Sequence, residues 1–423
     1  MLHSRQTPYR THRKPLLSIE KLDAGQYAGR FSGYVEGEKT FAWVLLEEVA
    51  FKLCFQQYPQ IPEGAIIRFD VDHSCHVLDV EILNCPVTSV PASGDVLRWR
   101  QGTVPRMKIL RERHSILRDV RNWFDQQDFM EVQTPCLVQA PSPEAQFFPF
   151  RVEEDNYLIT SPEFQMKRLL VGGFERIYQI TTCFRGKENG SRHNPEFTML
   201  EWYRAFDTLG RIYQDLLECL VCVTENHLAR TGGSDSIFLK PWQYASVAEV
   251  FQEYLHLPAE ALLSKHALKL HALEQKHGAC LENAESYEEI FFRLWHLMEP
   301  KLGHSSPIVV YDWPVQLASL ARTREDHPEF VERAELYVSG MELSNGFGEL
   351  IDASVQRQRF EQNLVDYAEI HRRLPPLDEC FLSSLEQAMP PSAGIALGLD
   401  RVVMLLTGTT SIQDVLCFAW NER

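Results

Sequence analysis

Arg185 opens a run, Arg185-Gly186-Lys187-Glu188-Asn189-Gly190-Ser191-Arg192-His193-Asn194-Pro195-Glu196-Phe197-Thr198-Met199-Leu200-Glu201-Trp202-Tyr203, that offers three kinds of chemistry. It holds a guanidinium for phosphate, an aromatic for a base, and carboxylates for an ammonium group. Read as a strand from Glu196 to Tyr203, it places Phe197, Met199, Glu201 and Tyr203 on one face. At ~3.3 Å per residue, Phe197 and Tyr203 then stand roughly 20 Å apart. That span fits an adenine at one end and the far end of an amino-acid side chain at the other. Alone, the pattern suits any amphipathic strand equally well.

Two later segments carry further polar chemistry. Ala334-Glu335-Leu336-Tyr337-Val338-Ser339-Gly340-Met341-Glu342-Leu343 reads as a hairpin with Ser339-Gly340 as a two-residue turn. In that register Tyr337 faces Glu342 and Glu335 faces Ser344, so the two glutamates lie diagonally on one face. Such a pair suits Mg²⁺ shared with phosphates, since that ion takes few protein ligands and keeps its waters; a solvated acidic face is the plainer alternative. Beyond it, alternation groups Asn345, Phe347 and Glu349 but leaves Glu342 out of phase, which a bulge near Gly346 would resolve. Near the C-terminus, Gly394-Ile395-Ala396-Leu397-Gly398-Leu399-Asp400-Arg401 is a small-residue strand leading into a helix. Its glycines permit close backbone approach to a ligand, and Arg401 supplies a fork for phosphate.

The elements that must position these residues follow from periodicity. Five short strands between about Tyr27 and Leu83, separated by turn signals, predict a small OB-like barrel over 27–90. It follows a flexible tail over 1–26 and precedes a linker over 91–104. Between Arg30 and Glu81 four basic residues face nine acidic ones, the wrong balance for an RNA-binding groove. A packing or protein-contact module is the better reading. From 105 to 423 helices and strands mix: a helix over Pro105–Asp128, helix-rich tracts over Leu209–Arg230 and Ser246–Met298, and strands clustered in the last third. This predicts an α+β domain. The net charge of −16 argues against gripping nucleic acid by general electrostatics. No apolar run reaches 18 residues, so no membrane span is expected. Ten scattered cysteines, with one CxxC at Cys219 and Cys222, suggest reduced thiols in a cytoplasmic protein.

Taken in order, the helix and strand ending in Thr134-Pro135, the run from Arg185 to Tyr203, and Gly394 to Arg401 resemble motifs 1, 2 and 3 of the class II aminoacyl-tRNA synthetases. The resemblance covers about residues 106 to 423. His193-Asn194-Pro195-Glu196-Phe197-Thr198, Asn345-Gly346-Phe347-Gly348-Glu349 and Gly398-Leu399-Asp400-Arg401 look most like the lysyl branch. The resemblance implies an antiparallel sheet flanked by helices, a homodimer, and ATP as substrate with Mg²⁺. It implies that Arg185 contacts the α-phosphate and the substrate carboxylate, and that His193 and Asn194 lie along the ATP. Phe197 stacks under adenine, Glu335 and Glu342 hold Mg²⁺, and Arg401 reaches the γ-phosphate or adenine. Lys187, Glu188, Leu343 and Gly398 complete the ATP site. Glu163, in Ser161-Pro162-Glu163, takes the α-amine and Asn345 the carboxylate. Tyr203 and Glu349, beside Phe347 and Ala396, bind the side-chain ammonium, which needs a charged partner when buried. The implied reaction, attack of a carboxylate on the α-phosphorus to give an aminoacyl-adenylate, relies on positioning and cations.

Two details turn the reading from a tRNA ligase toward the elongation factor P lysyltransferases. The tRNA enzymes usually have Ala-Pro-Glu and Gly-Leu-Gly-Ile-Gly, where this chain has Ser161-Pro162-Glu163 and Gly394-Ile395-Ala396-Leu397-Gly398. Ser161 and Ala396 are what the lysyltransferases show, as are Phe197-Thr198-Met199-Leu200-Glu201-Trp202-Tyr203 and Ala318-Ser319-Leu320-Ala321. One methyl at Ala396 can shift selectivity by ~1–3 kcal/mol. The resemblance implies lysine or (R)-β-lysine as substrate, a lysine of elongation factor P as acceptor, and no tRNA partner. Alternatives are a lysyl-tRNA synthetase-like ligase acting on tRNA or a small-molecule acceptor, and a paralogue that binds without turnover. One departure stands out. Lys187 occupies a position where the family normally has glutamate, unless Glu188 substitutes by a local shift.

Overall fold

The computed structural model describes residues 23–34, 41–46, 49–55, 60–62, 64–85, 106–153, 156–371 and 374–422. The tail expected over 1–26 lies outside these except for its last four residues, and Gly25 and Gln26 already belong to the first strand. The linker expected over 91–104 lies outside them. The chain divides into two compact units, Met1–Lys108 and Ile109–Arg423.

In the first unit, β1 (Gly25–Tyr34), β2 (Phe41–Leu46), β3 (Val49–Phe55), β4 (Ile66–Val71) and β5 (His76–Asn84) close into a barrel of order β1-β2-β3-β5-β4. Every pairing is antiparallel except β3 with β5. In β4 the period of two is plain: Ile67, Phe69 and Val71 turn inward and join Phe31, Val44 and Leu53 in the core.

The second unit is built on an eight-stranded sheet. Its strands are β6 (Met130–Glu131), β9 (Arg176–Phe184), β10 (Glu196–Ala205), β11 (Gln243–Ser246), β12 (Ile308–Pro314), β13 (Phe330–Tyr337), β14 (Glu342–Gly348) and β15 (Ser392–Gly398), in the order β11-β12-β13-β14-β15-β10-β9-β6. Only the two edge pairs, β11 with β12 and β6 with β9, are parallel. A separate two-stranded ribbon joins β7 (Leu137–Val138) to β8 (Tyr157–Leu158). Helices α1 (Arg106–Gln126), α3 (Leu209–Thr231) and α9 (Leu399–Thr407) lie on one face. Leu216, Leu220 and Val223 there bury Leu200, Trp202, Leu336 and Ile395 of the sheet. Helix α3 begins where Thr208 accepts the Arg211 N–H and ends at Gly232 in the left-handed conformation. Helix α2 (Glu163–Val171) packs instead against α8 (Glu379–Leu385), through Phe164 stacked on Phe381. A helical layer of α4 (Val247–Leu255), α5 (Lys265–Glu274) and α6 (Tyr287–Met298) forms its own core with Trp295 and Trp313. Helix α7 (Ala353–Ile370) contributes Phe360 to the α2–α8 cluster. No helix among the described residues is long and apolar enough to cross a membrane.

The expected hairpin is present, with a different register. Val338 and Met341 exchange both backbone bonds around Ser339 (φ 53°) and Gly340 (φ 68°), the two positive values a tight primed turn requires. Tyr337 faces Glu342 as the spacing predicts, but Glu335 faces Asn345 rather than Ser344. The irregularity falls between Leu336 and Tyr337, with Leu343 as the extra residue, and not near Gly346. That bulge shifts the phase of β14, so Glu342, Asn345 and Phe347 share a face.

Candidate active site

Alternation along β10 leaves Leu200 and Trp202 in the core and turns Phe197, Met199, Glu201 and Tyr203 into a cavity of about 700 Å³. Neighbouring strands complete it in register. Glu201 lies between Gln179 and Ala396, and Tyr203 lies opposite Gly394. Ala396 in turn faces Asn345 across β14 and β15.

The Tyr203 end is a carboxylate cluster. Glu349 is fully buried and Glu201 nearly so, while Glu163 opens helix α2 and is partly buried. Ser161 Oγ accepts the Glu163 N–H at 3.1 Å and donates to Glu201 Oε1 at 2.7 Å. The Tyr203 hydroxyl donates to Glu201 Oε2 at 2.8 Å. Burial, with Glu163 nearby, pushes Glu201 up to about 7. Burial also raises Glu349, against the pull of Lys167. Spacing in the sequence does not single out Lys167, yet its ammonium is completely buried, 2.5 Å from Glu163 Oε1 and 2.5 Å from Glu349 Oε2. Burial pulls its pKa down, but Glu163 and Glu349 more than offset that, so it stays charged. The available signal was the four-residue step from Glu163 on one helix.

The Phe197 end brings Arg185, Arg192 and Arg401 together, with Glu188, Glu299 and Glu342 beside them. The Arg185 guanidinium lies 4.1 Å from the Phe147 ring centre and 5.3 Å from that of Phe197. Arg401 donates to the Glu342 carbonyl at 2.5 Å and to His193 Nε2 at 2.7 Å. Burial and then Arg401 hold His193 down at about 4, so it is neutral and accepts that bond. Asp400 fixes the start of α9. Arg113 of α1 pairs with its Oδ1 at 2.5 Å, and the Thr198 N–H donates to its Oδ2 at 2.8 Å.

Several residues expected in the site also bond or pack within the protein. Both oxygens of Glu335 are taken, Oε1 by Arg333 at 2.6 and 3.1 Å and Oε2 by the Tyr337 hydroxyl. The cause is the same alternation: Arg333, Glu335 and Tyr337 share a face of β13, so the carboxylate meets a guanidinium fork before any metal. Glu335 and Glu342 both line the cavity, Glu335 with its two oxygens already accepting from protein. The Asn194 amide is engaged by protein, donating to the Glu196 carbonyl at 2.5 Å and accepting the Trp420 N–H at 3.0 Å. Pro162 caps α2 and does not line the cavity. Gly394 lines the cavity and also makes room for protein. A Cβ there would overlap the edge of the Tyr203 ring and come within 2.8 Å of Glu349 Oε1.

Lys187 adopts φ 65° and turns away, its ammonium 3.7 Å above the centre of the Phe148 ring. It does not line the cavity, whereas Glu188 does, alongside Ser161, Leu343, Phe347 and Gly398. Burial raises Glu188, with Arg185 and then Arg401 opposing.

Comparison with known proteins gives a consistent picture. Residues 96–422 match the family model described as tRNA synthetases class II (D, K and N). The chain is similar to proteins named elongation factor P–(R)-β-lysine ligase. That of Erwinia tasmaniensis is 36% identical over 321 residues, 73% of this chain and 94% of that protein. That of Edwardsiella ictaluri is 35% identical over 336 residues, 77% and 98% respectively. That of Photorhabdus laumondii is 37% identical over 325 residues, 73% and 94%.

Proposed function

This chain belongs to the class II tRNA synthetase family (D, K and N), and we propose that within it the protein is an ATP-dependent ligase that activates lysine or (R)-β-lysine as an aminoacyl-adenylate and transfers it to a lysine of elongation factor P. The observation that carries this reading is the polarity of one cavity. Cations and an aromatic stand at its Phe197 end, and carboxylates surround Tyr203 at the other. ATP needs the first set and a diamino acid the second.

Arg185 and Arg401 would draw negative charge off the phosphates as the substrate carboxylate attacks the α-phosphorus, and pyrophosphate leaves. Phe197 would seat the adenine, with Glu188 in place of the usual glutamate at position 187. Glu163 would take the substrate amine, and Glu349 with Tyr203 the side-chain ammonium. Asn345, which lines the cavity, would hold the substrate carboxylate by donating from its side-chain amide N–H. Glu342 could give one carboxylate to Mg²⁺ riding on the ATP. The acceptor lysine then displaces AMP. Elongation factor P as acceptor is supported by the names of the relatives. We further propose that the acidic N-terminal barrel is OB-like and serves protein contact, and that the catalytic unit works as a homodimer.

The test offers the purified chain ATP, labelled lysine or (R)-β-lysine, and either elongation factor P or tRNA. Label should appear on elongation factor P. Label on tRNA alone overturns the acceptor assignment.

A further inference from the structure

Three carboxylates, Glu163, Glu201 and Glu349, stand together at one end of the cavity. The only cation in contact with any of them, among the described residues, is Lys167. It is an unusual cation, a lysine with no exposed surface. It sits one helical turn beyond Glu163 and reaches across to the strand-end glutamate, Glu349. One oxygen of each glutamate is thereby taken from inside the protein. Glu349 Oε2 meets Lys167 as an ion pair, and neither Glu349 oxygen is satisfied by a further hydrogen bond. Glu201 is held by different groups, Ser161 and Tyr203.

We propose that Lys167 is a positioning residue for amino-acid recognition: by pairing with one oxygen each of Glu163 and Glu349, it favours their ionised form against the cost of burial and aims their free oxygens at the two ammonium groups of a diamino acid. The inference rests on the reading of this cavity as a diamino-acid site. Its physical basis is that a buried carboxylate without a cation takes up a proton instead, and a protonated carboxyl is a poor partner for ammonium. The groups facing Lys167 are Glu163 and Glu349 directly, with Glu201, Tyr203 and Glu144 around those carboxylates. None but Lys167 is cationic. Burial already raises Glu349 and Glu201, so little further loss of positive charge is tolerated.

Removing a cation from beside a carboxylate raises its pKa by about 1–3. For a carboxyl that titrates close to 7, a rise of that size cuts the ionised fraction at pH 7 from about one half to about one tenth or less. Lys167→Met keeps the length and apolar stem while deleting the charge. In amino-acid-dependent ATP–pyrophosphate exchange at pH 7, its KM for lysine or (R)-β-lysine should rise by at least about fivefold. Its KM for ATP should stay within about twofold, because the ATP end of the cavity is a strand-length away. Raising the pH from 7 to 9 should recover much of the lost affinity in the variant, and far less in the wild type. Equal changes in both KM values, or a diamino-acid KM that ignores pH, would overturn the proposal in favour of a purely structural lysine. Where Lys167→Met does not fold, wild-type protein answers by calorimetry in buffers of different ionisation enthalpy. If Lys167 favours the ionised form of Glu163 and Glu349, lysine binding at pH 7 releases less than about one proton per site; release of more than that overturns the proposal. Failure of wild-type enzyme to exchange pyrophosphate with any diamino acid is a different result, and it removes the functional reading itself.

Discussion

Gly394→Ala should damage amino-acid recognition through a side chain that touches no substrate. Gly394 sits in β15 opposite Tyr203. Its φ is not in the left-handed region, so alanine is allowed by the backbone and only the packing is at issue. The added methyl would overlap Cδ1 and Cε1 of the Tyr203 ring and approach Glu349 Oε1 to 2.8 Å, well short of the 3.4 Å where ordinary contact begins. Tyr203 is buried and cannot retreat into solvent. Overpacking of this kind costs about 1–3 kcal/mol, offset in part by about 0.4–1 kcal/mol from a less flexible unfolded chain. The ring must move, and with it the 2.8 Å bond from its hydroxyl to Glu201. A hydrogen bond to a charged group is worth about 1.5–3 kcal/mol, and each 1.4 kcal/mol is about tenfold. The KM for lysine or (R)-β-lysine in pyrophosphate exchange should therefore rise about 10- to 100-fold, with the KM for ATP within about threefold. Gly398→Ala is the control for stability: its Cβ would meet nothing nearer than 3.7 Å, so the melting temperature should not fall. A Gly394→Ala variant with wild-type amino-acid KM and melting temperature would refute the packing account. Parallel loss of ATP affinity would show that the two ends of the cavity are not separable.

Glu349→Gln should weaken diamino-acid binding by about 2–5 kcal/mol, the loss on removing one partner of a buried charge pair. ATP binding should be spared, and titration calorimetry with each ligand separates the two. Lys187→Ala should leave the KM for ATP within about twofold, because its ammonium is spent on the Phe148 face, an attraction of only about 0.5–1 kcal/mol at an exposed site. Glu188→Ala should raise that KM severalfold, and the opposite ranking in exchange assays would restore position 187 to the nucleotide site. His193 gives a stability test. Its folded pKa, about 4, lies below the usual 6.5, so the unfolded chain binds the extra proton between those values. Stability should decline as pH falls from 6.5 toward 4. His193→Gln should flatten that part of the curve in urea midpoints measured at pH 7.5 and 5.

What the sequence makes legible here is what a period of two or a short turn decides. Phe197, Met199, Glu201 and Tyr203 line one cavity because alternation along a single strand requires it. Ser339 and Gly340 make a tight turn because glycine tolerates the positive φ. Legibility stops where one strand slips against another or where a long side chain chooses its partner. The extra residue at Leu343 brings Glu342 into phase with Asn345, and no local spacing announces it. Glu335 reads as a free carboxylate until the fork of Arg333, two residues away on the same face, is seen closing on it. Lys187 reads as a cation in the nucleotide site until its backbone turns left-handed and Glu188 takes the cavity wall. Lys167 is the strongest case. A lysine in an amphipathic helix is ordinarily a solvated one, and only the crossing of α2 under Glu349 makes it the internal counter-ion. The missed residues share one physical origin. Each is a charge whose role is set by another charge or ring brought near it by tertiary packing. On the proposed reading, a diamino acid held by Glu163, Glu349 and Tyr203 would enter with its carboxylate toward Arg185, which is the orientation adenylate formation needs.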